Sequence, residues 1–239
     1  MAVAFRSVGV SPGANATSCV IIKPVGLAVD DLMIAQVVFR ADDNLVAPGD
    51  WTKIRQDVRT DGIFSSALFY KIAVQADVDA VNFTFPISGS NKENRGAITV
   101  WYGHSAENPI DADNGQTNVA STTVTAPEVT PSIAECMILM ICGINDNNTQ
   151  IGYAIATDNP PSWDERYDLP YDGAYGDCGL SLASALRTET TATGNGTATT
   201  SASDKNIGQL IAIAPPAAPA GLENKSAGMA AKMIAGKLI

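Results

Sequence analysis

The chain has 239 residues, of which 46% are hydrophobic and 17% charged, with a net charge of −10. That is enough apolar material for one large domain or two small ones. A surface this acidic repels nucleic-acid phosphates and excludes DNA or RNA as a natural partner. Frequent Thr, Val, Ile, Asn and Gly with sparse Lys and Glu favour strands and turns over surface helices.

Met1-Ala-Val-Ala-Phe-Arg6 lacks the basic start and apolar core of a signal peptide. No apolar run reaches the roughly 20 residues that span a bilayer. The expectation is therefore a protein made in the cytoplasm, outside any membrane. A short extended lead (2–10) and a turn at Ser11-Pro12-Gly13 precede a predicted strand over 18–22. The strand predicted over 32–39 is apolar on both faces apart from Gln36, so it belongs inside a sandwich or against a neighbouring chain. Pro48-Gly49-Asp50-Trp51 then turns the chain and sends Trp51 to the core edge. Residues 68–74 and 81–85 alternate apolar and polar as half-buried antiparallel strands do. Residues 88–95 form a hydrophilic turn, and Gly96 to Tyr102 closes the half.

The same order then recurs. After a long loop over 103–116 and a Thr-rich edge strand over 117–125, a second wholly apolar strand runs from Cys136 to Cys142. Pro160-Pro161-Ser162-Trp163 matches the first Pro-x-x-Trp, a strand over 180–186 follows, and a Gly-led apolar strand (Gly208 to Ile213) closes the half. Residues 164–179 read as a long irregular loop holding Tyr167, Tyr171 and Tyr175; loops beyond about 12–15 residues are commonly functional. Gly194-Asn195-Gly196 reads as a tight turn between Thr-rich strands. Ala214-Pro-Pro-Ala-Ala-Pro219 is a stiff linker (215–221). It leads to a tail over 222–239 in which Met229, Met233, Ile234 and Leu238 recur at helical spacing beside Lys225, Lys232 and Lys237.

Candidate chemistry is thin. Cys19, Cys136, Cys142 and Cys178 include no CxxC pair, and the single histidine, His104, completes no Cys/His zinc set. Cys136 and Cys142 share a face of one strand but lie roughly 20 Å apart along it, too far to bridge, so small buried hydrophobes are the plain reading. Asp111-Ala-Asp113-Asn114-Gly115 resembles the start of a calcium loop, but its Gly is one place early and Thr122 stands where a twelfth ligand is needed. His104 has no nucleophile motif beside it. Asp164, Glu165, Asp168, Asp172 and Asp177 could contain a glycosidase pair. With Tyr167, Tyr171 and Tyr175 they could instead form a sugar-binding surface; a solvated or subunit-contacting loop is the plainer alternative. No catalytic, cofactor or metal residue is assigned.

Asp31-Leu-Met-Ile-Ala, Pro48-Gly49-Asp50-Trp51, Tyr70-Lys71-Ile72-Ala73 and Gly96-Ala-Ile-Thr-Val-Trp-Tyr-Gly103, with Asn108-Pro109-Ile110-Asp111, Thr122 to Pro127 and Pro161 to Arg166, resemble a β-sandwich module common in tailed-phage virion proteins. The resemblance covers about residues 18–214 and carries no catalytic residues. Asp50 departs from it, since the usual turn runs Gly-Trp directly. The resemblance implies a jelly-roll-like unit with two similar halves and a structural role in a virion.

The expected architecture is thus an all-β, antiparallel β-sandwich of jelly-roll type over 1–214, built from pseudo-repeats at about 18–116 and 117–214, with a short helical or extended tail. The expected role is capsid decoration or cement, with the major capsid protein or other virion proteins as partners. A homo-oligomer, a trimer as the first guess, is expected from the strands that are apolar on both faces. The 215–239 arm or the N-terminal lead would bridge subunits. Contact residues would be Met229, Met233, Ile234 and Leu238 of the tail, with Tyr167, Tyr171 and Tyr175 of the loop. The alternative role is a receptor- or carbohydrate-binding module of a tail or fibre, with a host glycan as ligand. Enzymatic activity is not expected.

Overall fold

The computed structural model describes residues 2–59, 61, 64–157, 160 and 162–217. In chain order the elements are β1 (Ala4–Val10), β2 (Ala14–Ala16), β3 (Ser18–Ile22), β4 (Leu32–Phe39), β5 (Thr52–Arg59), β6 (Phe64–Ile72), a short helix α1 (Gln75–Asp79), β7 (Asn82–Pro86) and β8 (Lys92–Tyr102). Then come β9 (Ile110–Ala126), β10 (Cys136–Ile144), β11 (Gln150–Ile155), β12 (Asp164–Tyr171), β13 (Cys178–Arg187) and β14 (Gly196–Ile213). One sheet has the order β1-β8-β4-β6-β5, with β2 also on β8. The other runs β11-β14-β10-β13-β12, with β9 also on β14. Pairing within both sheets is antiparallel, as it is in the separate β3–β7 pair. The protein is an antiparallel β-sandwich of two similar halves.

Each half builds its own sheet, and the likeness reaches single residues. The central strand (β4 or β10) lies between the closing strand (β8 or β14) and β6 or β13, with β5 or β12 outermost. Asp30 and Glu135, the non-glycine residues at φ 67° and 64° among the described residues, each sit just before a central strand. Trp51 and Trp163 each precede a strand whose register slips at the third residue on, Ile54 in β5 and Arg166 in β12. Such a bulge re-aims every later side chain of its strand. The halves divide in residues 103–109, earlier than the repeat boundary expected at 116, because β9 pairs along β14 and belongs to the second half.

The two sheets pack face to face through Leu32, Ile34, Val38, Leu68 and Trp101 of the first and Leu139, Ile141, Leu180, Leu182 and Ile211 of the second. Their outer faces are covered as well. Over the first, β3 and β7 lay Cys19, Ile21, Phe83 and Phe85 against Met33, Val37, Phe69 and Val100. Trp51 drops in with its ring 5.8 Å from Phe83 and 5.1 Å from Phe85. Over the second, the chain covers itself: β9 and β14 change register near 121 and 204, and their far ends join β11 above Ile138, Met140 and Leu210. β4 and β10 are therefore apolar on both faces because both faces are buried within the same chain. The argument from these strands to an oligomer falls away.

A Gly inside each closing strand, Gly96 in β8 and Gly208 in β14, lies directly under the cover. A Cβ on Gly96 would lie 2.7 Å from Ile21 Cδ1 and 2.8 Å from Cys19 Sγ; one on Gly208 would lie 2.3 Å from the Thr125 carbonyl oxygen. At Gly208 the obstacle is backbone, whereas at Gly96 it is chiefly the ends of side chains. Asp50, the residue added to the expected Gly-Trp turn, has a partner: its carboxylate lies 2.8 Å from Lys71 Nζ, which also meets Asp77 at 2.6 Å.

Several expectations are corrected. The loop expected over 103–116 ends at Ile110, where β9 begins; its polar run Asp111–Gly115 is an edge strand whose backbone pairs with β14. The calcium-loop reading fails there, since Asp113 pairs with Arg55 at 2.8 Å and Asp111 binds Ser132. Residues 164–171 are β12 rather than loop. Residues 92–95 open β8 instead of closing a turn, and Glu93 and Asn94 are buried. The Thr-rich stretch 188–195 is not a strand and turn. It wraps the fully buried Arg187, whose Nη2 donates to the carbonyls of Thr191 and Ala192 at 2.9 and 3.0 Å. A buried guanidinium needs many acceptors, and an irregular chain can aim several carbonyls at one point. The N-terminal lead is β1, hydrogen-bonded along β8, and so is not a free bridging arm.

Candidate functional site

Among the polar contacts that join the halves are one network in the core and one on the flank, beside a link from Arg59 to the Asn118 carbonyl. In the core, Gln36 of β4 donates to the Cys142 carbonyl of β10 at 2.9 Å and accepts from the Tyr167 hydroxyl of β12 at 2.8 Å. Ser66 links Gln36 (3.2 Å) to Gln209 of β14 (2.9 Å), and Gln209 donates to Asp57 of β5 at 2.7 Å. Asp57 holds Arg55, which reaches Asp113 of β9. A single chain of hydrogen bonds thus runs from β12 through the sheet interface to the β5–β9 side. The links among Tyr167, Gln36, Ser66 and Gln209 satisfy groups that would otherwise be buried unpaired, while the outer Arg55–Asp113 link is exposed.

On the flank, the β12–β13 connection leans on the first half. Glu93 of β8, 2% exposed, accepts the Tyr175 N–H at 2.9 Å. Arg40 donates from Nη1 to Asn145 Oδ1 (2.8 Å) and to the Asp177 carbonyl (3.1 Å). Within the loop, Gly173 N–H meets Asp177 Oδ1 at 3.1 Å and Gly176 N–H meets the Gly173 carbonyl at 3.2 Å. Gly176, at φ 136°, lies so close that a Cβ would meet Arg40 Nε at 2.4 Å. The loop is tied to the first half at two points and braced by two bonds of its own, and its tip residue Tyr175 stands 80% exposed. Arg95 stacks 5.9 Å over the Tyr171 ring, and burial lowers its guanidinium pKa. Burial first, and then the Glu93 carboxylate, raise the Tyr171 phenol above its usual value.

The three predicted tyrosines therefore do not form one surface. Tyr167 is buried in the core with its hydroxyl committed to Gln36, because the Arg166 bulge turns it inward. Tyr171 packs half-buried on Gly13 and Arg95, and Tyr175 alone is presented. Met229, Met233, Ile234 and Leu238 lie outside the described residues. Arg40 and Glu93 were missed from sequence, since they sit in the other half, over 80 positions from Tyr175, and Glu93 falls in the run 88–95 read as a hydrophilic turn.

The bulge also places Glu165 and Asp168 toward the outer face of the second sheet. Asp168 accepts the Gln150 N–H at 2.9 Å, and burial, with Glu165 adding repulsion, pushes its carboxyl up to about 6. Its Oδ1 and the neighbouring Gln150 Oε1 are both buried without a hydrogen-bond partner. Tyr153 bonds Ser181 at 2.8 Å beside them. Burial pushes the four free cysteines up to about 12, which keeps them as inert thiols. His104 spans the Ser105 and Asp30 carbonyls at 2.8 and 3.0 Å. Among the described residues there is no cluster of three or more His, Cys, Asp or Glu side chains that could hold a metal, and no helix is long and apolar enough to cross a membrane.

Fold and geometry define a doubled β-sandwich whose halves are bolted together by polar side chains. The chain matches no family model, no curated protein and no solved structure.

Proposed function

We propose that the protein is a structural component of a phage virion, a decoration or cement protein that docks its acidic sandwich on the outer capsid. The observation that carries this reading is how the chemically able side chains are used. Tyr167, Gln36, Gln209, Asp57 and Arg55 hold the two sheets in register, Arg187 shapes a loop, and the thiols fill the core. A body built this way resists deformation, which suits load-bearing on a shell. The resemblance of its turn motifs to virion β-sandwich modules points the same way. Co-sedimentation with empty phage capsids stripped of accessory proteins tests it, comparing the full chain with one ending at Ala214. Saturable binding by either form supports decoration; no binding by both overturns it.

A second reading rests on the pinned loop. Tyr175 is held out by Glu93 and Arg40 without cost to the core, as a sugar-stacking residue would be. Here Tyr175→Ala abolishes glycan binding on an array while leaving stability within about 0.5 kcal/mol. Binding unchanged by Tyr175→Ala, or no glycan binding at all, removes this reading.

A further inference from the structure

Among the described residues, an apolar patch at one end of the first half is left uncovered. Ile22, at the end of β3, and Val25, Val29, Val74 and Val81 are all exposed. Backbone bonds bring them to one end of the cover: Lys23 N–H to the Val81 carbonyl at 3.1 Å, and Asp30 N–H to the Ala73 carbonyl at 2.9 Å. Lys23 Nζ adds a bond to the Val78 carbonyl at 2.5 Å. Isolated exposed aliphatics need no explanation, but five gathered at one edge do.

The chain leaves the sandwich beside this patch. After β14, Ala214 donates to the Pro109 carbonyl at 2.9 Å and accepts the Ser105 N–H at 2.8 Å. The adjacent His104 touches the Asp30 carbonyl, next to Val29. From Ala217 a further 22 residues follow, long enough to cover about 33 Å even if wholly helical. They carry Met229, Met233, Ile234 and Leu238 together with Lys225, Lys232 and Lys237. The surroundings of the patch and of the exit supply the exposed acids Asp30, Asp79 and Glu107. Apolar residues and charge are thus complementary, and the short tether gives the segment a high effective concentration at the patch.

We propose that residues 218–239 dock on the Ile22–Val25–Val29–Val74–Val81 patch of their own chain, with the lysines toward Asp30, Asp79 and Glu107. This goes beyond the decoration reading and stands whether or not the protein binds a shell. Limited trypsin digestion tests it by following cleavage after Lys225, Lys232 and Lys237 by mass. The full chain should be cut there at least about tenfold more slowly than a Val25→Glu/Val81→Glu variant. Both positions are over three-quarters exposed, 84% and 80%, so the sandwich tolerates the change. An unchanged thermal midpoint of the same double substitution in a chain ending at Ala217 confirms that the body is intact. Equal cleavage of wild type and variant overturns the proposal. Protection that grows with protein concentration also overturns it, because the occupant is then the tail of a second copy.

Discussion

The two halves solve one problem in different ways. Each has a five-strand order with a central strand too apolar to leave either face wet. The first half recruits separate elements, the β3–β7 pair and α1, and fills the gap with aromatics: Trp51, Phe69, Phe83 and Phe85. The second bends β9 and β14 back over their own sheet, so the buried part of its cover is aliphatic, Val124, Ala126, Ile155 and Ala198, with Tyr153 and Trp163 packed at its margin. A cover made of side chains can shift when pressed. A cover made of backbone sitting directly on the sheet cannot.

The closing-strand glycines turn that contrast into a measurement. Gly208→Ala drives a Cβ into the carbonyl group of Thr125 and the Ala126 nitrogen, which are fixed by pairing with β14. Gly96→Ala meets chiefly the tips of Ile21 and Cys19. We expect Gly208→Ala to cost about 3 kcal/mol and Gly96→Ala about 1 kcal/mol by denaturant midpoint. Equal costs would mean that the second cover is as pliable as the first.

The core chain of hydrogen bonds gives the next effect. Gln36→Leu strands the Tyr167 hydroxyl between the sheets and takes the side-chain donor from the Cys142 carbonyl, which keeps its place in the β10 ladder, and should cost about 2 kcal/mol. Tyr167→Phe removes the stranded hydroxyl. The double variant should therefore be less unstable than the sum of the singles by about 1 kcal/mol. Strict additivity would show that the two side chains do not act together in joining the halves.

The pattern of what was legible follows from the same comparison. The Pro-x-x-Trp repeat, the two wholly apolar strands and the apolar ends of the closing strands behind Gly96 and Gly208 were readable, though not where those strands begin, because each reflects a local demand: a turn, a two-faced burial, a close approach of the cover. Trp51 at the core edge and the shared face of Cys136 and Cys142 were also read correctly. Long-range demands left no such mark. Asp111–Gly115 looks like a loop because an edge strand needs its backbone only, and Lys92–Arg95 looks like a turn because Glu93 is buried by a loop from the other half. Tyr167 looks exposed beside Asp164 and Glu165 until the bulge at Arg166 turns it inward. Nothing in the residues alone announces that one-residue slip.

Asp168 supplies the smallest effect and probes the second cover alone. Its carboxyl is held near 6, chiefly because the β11 cover buries it, with the Glu165 charge adding to the effect. The groups around it from each packed element are Gln150 and Tyr153 of β11, Ser181 of β13, Cys142 of β10 and Glu165 of its own strand. Tyr153 and Cys142 stay neutral here, because burial raises both. The native state therefore holds the Asp168 proton more tightly than the unfolded chain, whose carboxyl titrates near about 3.9. Stability from this group is complete below pH ~4 and is lost as pH rises through about 6. The full shift would be worth about 3 kcal/mol, but the side chain is only about half buried, so solvent screening reduces this to about 1 kcal/mol. Asp168→Asn keeps the acceptor for Gln150 N–H and removes the charge. The variant should match wild type at pH 4 and exceed it by about 1 kcal/mol at pH 7 in urea unfolding. A difference independent of pH would place the strain elsewhere. A variant less stable at pH 7 would mean that the cover opens enough to hydrate the carboxylate, making the backbone-built cover the looser of the two.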